Sequence, residues 1–376
     1  MRSFIVIFAL ICITAPLAAQ PCAERPQRVE SPVVDGGRFC LELALQDDSG
    51  GELSFTTLSV GPDGVLYAAR PLAGEIYRLT DSDGDALPDR PVLLVDGLTL
   101  PTGLGWDGDA LYIFAADSLY RWQDGDLTLV SDALPYSEYG PWNGGLAVSP
   151  DGDVFMGISA GCDTCVPEAG LGTIMRYNPR DDSLTVYAEG FRQPAALVWH
   201  DFALWASDTI RDAITFRYRD EFNRVMPEAH YGFPYCYGVQ NVRDTLAGDF
   251  DCAQVTPPDL IFPARSGPWA AASYSGEAFP YLEGLMLVAL SGQPAMSSAH
   301  GYGLLAVDSR LGTDGADATF LIPSSPQYAV SHAINSDLQP RGMGFYPRHI
   351  YGVAVSPEGW IYVSAGGGRI YVLRQP

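Results

Sequence analysis

The sequence predicts an all-β protein, a six-bladed β-propeller, because one hairpin pattern recurs six times along its 376 residues. Each copy is an apolar strand, a turn rich in Asp, Gly or Pro, and a second strand of alternating apolar residues. Asp-Gly between alternating apolar runs is the strongest short-range hairpin signal. The copies are spaced by roughly 60 residues, counting insertions, which is typical of propeller blades that stack to bury both faces.

The six hairpins are each followed by a short strand that would be the third of its blade. The hairpins occupy residues 58–70, 104–116, 146–159, 197–208, 280–290 and 353–365. The third strands read EIYRL, SLYRW, TIMRY, ITFRY, GLLAV and RIYVL. A β-sandwich is the competing all-β architecture, but spaced copies of a single hairpin favour the propeller. Helical signal is limited to "YRDEFNRVM" (218–226), which could form one or two turns.

The N-terminal strand is expected to close the ring. "RFCLELAL" (38–45) alternates like a strand and precedes the first hairpin, so it has no blade of its own. We expect it to complete the last blade beside "RIYVLRQ" (369–375). The two ends of the chain would then share one sheet.

The first residues have the pattern of a secretory signal peptide. Arg2 is followed by an apolar run from Phe4 to Ile13, then Pro16 and small residues up to Ala19. The run is too short for a bilayer, and no later segment has the roughly 18 apolar residues of a membrane helix. We therefore expect residues 1–19 to be removed and residues 20–376 to form one propeller domain, secreted or periplasmic.

Cysteine usage agrees with an exported chain. Six cysteines remain after Cys12 leaves with the signal peptide, and an even number in such a chain favours disulfides. Six cysteines allow 15 pairings, so proximity in sequence gives only a preference. The preferred pairs are Cys22–Cys40, Cys162–Cys165 and Cys236–Cys252. The CxxC pair could instead be redox-active, but without a thioredoxin-like βαβ context a structural link is favoured.

The charge excludes two classes of partner. The net charge is −23 at pH 7, and all 22 residues counted as Lys or Arg are arginines. Such a surface repels nucleic acid and anionic membranes. Composition by itself indicates no substrate.

"GISAG" (157–161) fits the Gly-x-Ser-x-Gly pattern of a hydrolase nucleophile elbow. That elbow needs a strand, a sharp turn and then a helix, with Ser at the apex. Ser159 instead ends the outgoing strand of a hairpin, and "GCDTC" and Pro167 follow it. The sequence therefore argues against a serine hydrolase, because the motif lacks its structural context.

An acidic turn, "DSDGDALPD", places Asp81, Asp83, Asp85 and Asp89 at calcium-loop spacing. It is not an EF-hand, because Ala86 replaces the loop glycine and a valine replaces the bidentate Glu. Two interpretations remain open: a structural metal site or a solvated acidic turn.

Four stretches resemble the soluble glucose/sorbosone (aldose sugar) dehydrogenase family, whose members bind pyrroloquinoline quinone (PQQ). They are "SAGCDTC" (159–165), "YAEGFRQPAALVW" (187–199), "DEFNRVMPEAHYGFPYCYG" (220–238) and "DSDGDALPD" (81–89). The third is the most specific, being similar to the family's DE-x-N followed by NYGWP-x-x-x-G. The resemblance implies a six-bladed propeller that oxidises a sugar CH–OH group with PQQ and calcium, passing electrons to an acceptor.

The resemblance also implies which residues contact the cofactor. Arg192 matches the family's arginine beside the quinone, and Gln193 replaces the following asparagine while keeping an amide. Arg348 is similar to the family's last-blade arginine. The backbone carbonyls of Ile210 and Arg211 would coordinate calcium, although the 208–219 loop differs from the family's acidic, Gly/Pro-rich loop.

The chain departs from the family at the catalytic base. The family's histidine position falls on Pro141, which cannot accept a proton, and Met296 lies where a later blade could supply a cation. Of the other histidines, His300 or His349 could reach the central mouth, so the base is unassigned. His230 is interpreted as packing against its loop.

Two alternatives follow from these departures. The first is a cofactor-free propeller that binds a carbohydrate or protein partner on its loop face. The second is a lactonase-type propeller with an axial calcium ion, which would need acidic and amide side chains to converge on the axis. Asn143 is the amide that the sequence offers there.

Overall fold

The computed structural model describes residues 20–31, 34–47, 51, 53–209, 219–239, 242–262, 266–292, 303–310, 318–324 and 349–376. These residues form six four-stranded antiparallel sheets and one small two-stranded sheet. The innermost strands of successive sheets contact one another, and the sixth sheet contacts the first. The architecture is therefore a six-bladed β-propeller, as the sequence predicts.

The first three blades each run from the axis outward in chain order. A 3₁₀ helix, η1 (Cys22–Glu24), and strand β1 (Cys40–Gln46) precede them. Blade 1 contains β2 (Thr57–Val60), β3 (Leu66–Arg70), β4 (Glu75–Thr80) and β5 (Arg90–Val95). Blade 2 contains β6 (Pro101–Asp107), β7 (Ala110–Ala115), β8 (Ser118–Gln123) and β9 (Asp126–Ser131). Blade 3 contains β10 (Gly144–Val148), β11 (Val154–Ile158), β12 (Thr173–Asn178) and β13 (Ser183–Glu189).

The last three blades carry the insertions. Blade 4 contains β14 (Leu197–His200), β15 (Ala203–Asp208), β16 (Asp220–Val225) and β19 (Leu260–Phe262). The segment that connects β16 to β19 contains the separate two-stranded sheet of β17 (Cys236–Tyr237) and β18 (Val242–Arg243). Blade 5 contains β20 (Pro268–Ser273), β21 (Met286–Leu290), β22 (Gly303–Val307) and β23 (Thr319–Ile322). Blade 6 contains β24 (Ile350–Val355), β25 (Ile361–Ala365), β26 (Arg369–Arg374) and β1.

Helical structure in the described part of the chain is limited to short 3₁₀ segments. Besides η1 these are η2 (Thr245–Ala247), η3 (Cys252–Gln254) and η4 (Pro280–Leu282). None of these helices has the length and apolarity that crossing a membrane would require.

Two sequence-based predictions about strands were wrong. Residues 218–226 were expected to form a helical turn, but β16 lies there, paired with β15 on one side and β19 on the other. The hairpin predicted at 280–290 is also absent, since the inner strand of blade 5 is β20 and Pro280–Leu282 is a 3₁₀ turn. "ITFRY" falls outside the described residues, and β16 is the third strand of blade 4.

Among the described residues the core contains six large apolar clusters, one between each pair of neighbouring blades, and a small seventh cluster of Ala160, Phe233 and Tyr237. Phe55 and Leu66 of the first blade face Ile370 of the last, and Leu111 of the second blade faces Ile76 of the first. The other four clusters repeat this arrangement around the ring. Strands such as β7 and β15 are buried along their whole length, because each blade packs on one neighbour with one face and on the other neighbour with the opposite face.

The ring closes through β1, as predicted. β1 pairs antiparallel with β26, with Cys40 opposite Arg374 and Gln46 opposite Arg369. The Glu42 carboxylate on β1 is fully buried and accepts from Arg374 Nε and Nη2 at 2.6 Å each. Arg25 Nη1 donates to the same carboxylate at 3.0 Å. We call Arg25, Glu42 and Arg374 the closure triad.

All three expected disulfides are present. Cys22–Cys40 links the N-terminal segment to β1, Cys162–Cys165 links two residues of the loop after β11, and Cys236–Cys252 links β17 to η3. Each joins neighbours in sequence, so each constrains a local segment and none holds two blades together.

"GISAG" is explained by packing between blades 3 and 4. A Cβ at Gly157 would overlap the carbonyl oxygens of Pro194 and Gly144, so glycine is required where the neighbouring backbone approaches β11. The Ser159 hydroxyl donates to the Trp142 carbonyl at 2.6 Å, and the side chain is buried. The motif is therefore structural, and the serine is not a nucleophile.

Replacing Gly157 with alanine is expected to lower the free energy of unfolding by about 2–3 kcal/mol, because neither carbonyl can move without shifting a strand. Gly36→Ala is the matched control, since a Cβ there meets nothing within 4 Å. Urea unfolding followed by tryptophan fluorescence would compare the two variants. Equal stabilities would show that Gly157 is not required by close packing.

Candidate functional site

An axial cavity lies where the amino ends of the six inner strands meet. Its volume is ≈ 120 Å³ and every blade contributes to its wall. The contributions in blade order are Thr57, Thr102, Asn143, Gln193, Trp269 and Tyr351. Among the described residues, no Asp, Glu, His, Lys or Arg lines the cavity, so its wall is uncharged.

The wall of the cavity combines aromatic rings with hydrogen-bonding groups. Trp142, Trp269 and Tyr351 contribute rings, and Trp269 and Tyr351 contact each other edge-to-face with centroids 6.3 Å apart. Aromatic faces beside a few placed polar groups are typical of small-molecule sites. Stacked or edge contacts of this kind suit a flat ring system or the apolar face of a sugar.

Gln193 presents a donor to the cavity. Its Oε1 accepts from Thr209 Oγ1 at 2.8 Å and from Arg192 Nη1 at 3.4 Å. Within the described part of the chain no acceptor lies within hydrogen-bond distance of its Nε2, although Gln193 is 8% exposed and lines the cavity. The side-chain oxygen of Gln193 is therefore already hydrogen-bonded, and the two N–H groups of its Nε2 can donate to a ligand.

Arg192 lies beside Gln193, buried between two blades. Its Nε donates to Asp163 Oδ1 at 2.9 Å, and its Nη1 donates to the Thr209 carbonyl at 2.8 Å. The side chain is only 3% exposed. These contacts to Nε and Nη1 fix the plane of the guanidinium group.

Asp208, at the end of β15, holds the backbone of both residues. Its carboxylate accepts from the Arg192 amide at 3.0 Å and from the Gln193 amide at 2.7 Å. Burial raises the pKa of Asp208 to about 6, against the opposing effect of these amides. Sequence reasoning missed this residue, although a strand ending in "WASD" just before a loop was a signal that could have found it.

A second buried acid lies opposite Asp208 on β16. Glu221 pairs in register with Asp208, and its Oε1 accepts from the Gly238 amide at 2.9 Å. Burial, reinforced by the Asp208 charge, raises the pKa of Glu221 well above its usual range. On the same face the Asn223 side chain is fully buried, and neither its oxygen nor its nitrogen has a partner among the described residues.

Pro141 and Asn143 lie on the blade 3 side of the mouth. Pro141 is partly exposed and directly precedes Trp142 of the cavity wall. The Asn143 amide is used by the fold: its Nδ2 donates to the Ala116 and Pro135 carbonyls, and its Oδ1 accepts from the Ser159 amide. Since Asn143 is satisfied by backbone and the described wall carries no acid, the described residues do not support an axial calcium site of lactonase type.

The described histidines differ in position. His349 precedes β24 at the mouth, and its Nδ1 lies 2.9 Å from the Ser291 carbonyl, so Nδ1 carries a proton. His230 accepts from the Gly232 amide through Nδ1 and contacts Tyr235 and Phe250, as expected for a packing role. His200 lies beside Ser273 at the other end of its strand, and burial lowers its pKa. No described histidine lines the cavity.

The acidic turn brings three carboxylates together. Ligand atoms of Asp81, Asp83 and Asp85 lie within 4.8 Å of one another. Asp89 instead accepts from the backbone and hydroxyl of Ser82, at 2.8 and 2.7 Å. Asp81 accepts from the amides of Gly84 and Ala86. The turn is therefore closed by its own hydrogen bonds, and the metal site stays a prediction.

Several residues singled out from the sequence lie outside the described residues. They are Arg348, Ile210, Arg211, Met296 and His300. Of the implied cofactor residues, Arg192 and Gln193 are described; Gln193 lines the cavity, and Arg192 lies buried beside it.

Comparison with protein families gives a match that spans Arg192 and Gln193. Residues 142–299 match the family model described as Glucose / Sorbosone dehydrogenase. The matched segment is similar to that family and covers less than half of the chain. The family segment contains Arg192, Gln193 and Asp208, and it begins directly after Pro141. The resemblance read from the sequence is thereby confirmed. A search of curated proteins finds no match to the chain.

Solved structures show the same fold at low identity. A carbohydrate-active enzyme of family AA12 from Trichoderma reesei, solved in a calcium form, has a TM-score of 0.72 and 15% identity, covering 93% of this chain and 98% of its own. The PQQ domain of pyranose dehydrogenase from Coprinopsis cinerea gives 0.67 and 13%, with the same coverages of 93% and 98%. PQQ-bound aldose sugar dehydrogenase from Streptomyces coelicolor gives 0.58 and 18%, with coverages of 92% and 99%. At these identities the likeness supports the propeller fold alone.

Proposed function

We propose that this protein is a PQQ-dependent oxidoreductase that oxidises a CH–OH group of a sugar. The observation that carries the proposal is Gln193, which lines the aromatic axial cavity within the family segment and accepts from the neighbouring Arg192 Nη1 at 3.4 Å. Two of the structural neighbours are described as PQQ-containing sugar dehydrogenases. Pyrroloquinoline quinone accepts a hydride from the sugar carbon when it is bound.

The described residues fit the quinone. A planar ring system suits the rings of Trp142, Trp269 and Tyr351, and the Gln193 Nε2 would donate to a quinone or carboxylate oxygen. Arg192, whose Nη1 lies 3.4 Å from Gln193 Oε1, would supply the cation that pairs with the anionic cofactor. Asp208 keeps both side chains in place by holding their backbone amides. Because the described wall residues carry no charge, the negative charge of the cofactor would have to be balanced by cationic groups at the edge of the cavity.

The chain's other cofactor and partner roles belong to the same proposal. Calcium would be held by the carbonyls of Ile210 and Arg211, and Arg348 would orient the quinone from the last blade. The mature protein would be secreted or periplasmic after loss of residues 1–19, with a diffusible acceptor taking the electrons. The acidic surface would disfavour nucleic acid as a partner.

Reconstitution tests the proposal directly. Mature protein is titrated with PQQ in the presence of calcium, and the quinone absorbance is followed, with the heat-unfolded protein as control. The same sample is then assayed with a panel of aldoses and an artificial electron acceptor. We expect saturable binding at micromolar quinone or below and sugar-dependent reduction of the acceptor.

The outcomes separate the alternatives. Quinone binding without turnover on any sugar would leave a cofactor-binding protein that lacks a base, as Pro141 suggests. Absence of binding at micromolar quinone would overturn the proposal and favour a propeller that binds a carbohydrate or protein partner without a cofactor.

A further inference from the structure

The loop after β11 reaches across to the neighbouring blade at the cavity mouth. Asp163, between the disulfide-linked Cys162 and Cys165, accepts from Arg192 Nε at 2.9 Å. The Asp163 side chain is 33% exposed, whereas Arg192 is 3% exposed. Blade 3 thus supplies an ion-pair partner for the arginine of blade 4.

Two further constraints hold this loop in place. The disulfide closes a three-residue separation in sequence, which limits the backbone conformations open to Asp163. Cys162 also packs against the buried group formed by Ala160, Phe233 and Tyr237. The Ala160 amide donates to the Arg192 carbonyl at 2.8 Å, so the base of the loop is tied to the same residue. The carboxylate of Asp163 is therefore presented from a preorganised segment.

We propose that Asp163 is the positioning residue for Arg192, and that the Cys162–Cys165 link presents it. This inference rests on the proposed function, since it deepens the role of Arg192 at the quinone. The Asp163 carboxylate takes Nε while the Thr209 carbonyl takes Nη1, so the plane of the guanidinium is set by two blades at once. A guanidinium group whose plane is already fixed loses little conformational entropy when it binds an anion.

A second ion pair of the same blade provides the matched control. Asp153 lies in the β10–β11 hairpin turn, at the end of the blade away from the mouth, and binds Arg176 Nε at 2.8 Å and Arg180 Nη2 at 2.7 Å. It is as strongly paired as Asp163 but has no contact with the cavity wall. Asp153→Asn therefore removes one charge from blade 3 without touching the mouth.

The experiment compares Asp163→Asn, the double variant Cys162→Ser/Cys165→Ser and Asp153→Asn. The first readout needs no quinone: the Nε–H NMR signal of Arg192 in the cofactor-free protein, assigned by its loss in Arg192→Lys. The second readout is the dissociation constant for PQQ with calcium. Circular dichroism confirms that each variant is folded.

We expect Asp163→Asn and the cysteine double variant to shift the Arg192 signal and speed its hydrogen exchange. Quinone affinity should fall about tenfold, as expected for one charge-assisted hydrogen bond, while Asp153→Asn changes neither. An unchanged Arg192 signal, or a shifted signal with unchanged quinone affinity, would overturn the inference. If wild-type protein binds no quinone but the signal still responds to Asp163, the proposed function fails and the positioning holds.

Discussion

Replacing Glu42 with glutamine is expected to lower the free energy of unfolding by about 3–5 kcal/mol, because it leaves two arginines facing a neutral partner in the core. Glu42 is fully buried, and it receives three hydrogen bonds from Arg25 and Arg374. A single partner removed from a buried pair leaves uncompensated charge, which costs more than the intact pair contributes. The loss should be cooperative, since β1 joins the two ends of the chain.

Urea unfolding by tryptophan fluorescence and circular dichroism would measure this loss. Asp308→Asn is the control, since Asp308 pairs with Arg310 at 2.7 Å on a surface where the arginine is 65% exposed. Exposed pairs contribute about 0–1 kcal/mol, so the control should stay close to wild type. A Glu42→Gln variant as stable as Asp308→Asn would show that the closure triad does not hold the ring.

Replacing Arg192 with glutamine is expected to weaken PQQ binding by about a hundredfold or more, the usual cost of truncating one partner of a buried charge pair. The change removes the described cation of the mouth and leaves Asp163 without its Arg192 contact. Gln193→Leu should cost about tenfold, because it removes a neutral donor and leaves Thr209 Oγ1 without its acceptor. Titration of the quinone absorbance measures both.

Arg176→Gln is the matched control for the arginine variant. Arg176 also binds a carboxylate, that of Asp153, but at the opposite end of blade 3. Its quinone affinity should equal that of wild type. If Arg192→Gln binds quinone as tightly as Arg176→Gln does, Arg192 is a structural residue and the cofactor lies elsewhere.

The errors of sequence interpretation share one physical origin. "YRDEFNRVM" had a weak helical signal, but β16 is hydrogen-bonded on both sides, and tertiary pairing overrides such a propensity. In blade 5 the strand β20, "PWAAAS", is mostly half-buried and lacks strong alternation. The more apolar 280–290 stretch therefore has the stronger strand signal in the sequence. A strand that is stabilised mainly by pairing with neighbouring strands shows little hydrophobic periodicity in its own sequence.

The amino-acid sequence predicts the repeat, the ring closure through residues 38–45 and the preferred cysteine pairs, all of which the folded chain shows. These features depend on alternation, turn residues and short separations, which act locally along the chain. Only the folded chain shows which groups contact Arg192 and Gln193: Asp163 from blade 3, and Asp208 and Thr209 from blade 4, beside an axial wall whose described residues carry no charge. Such contacts join residues far apart in sequence, and their energy comes from burial and pairing that exist only when the blades have assembled.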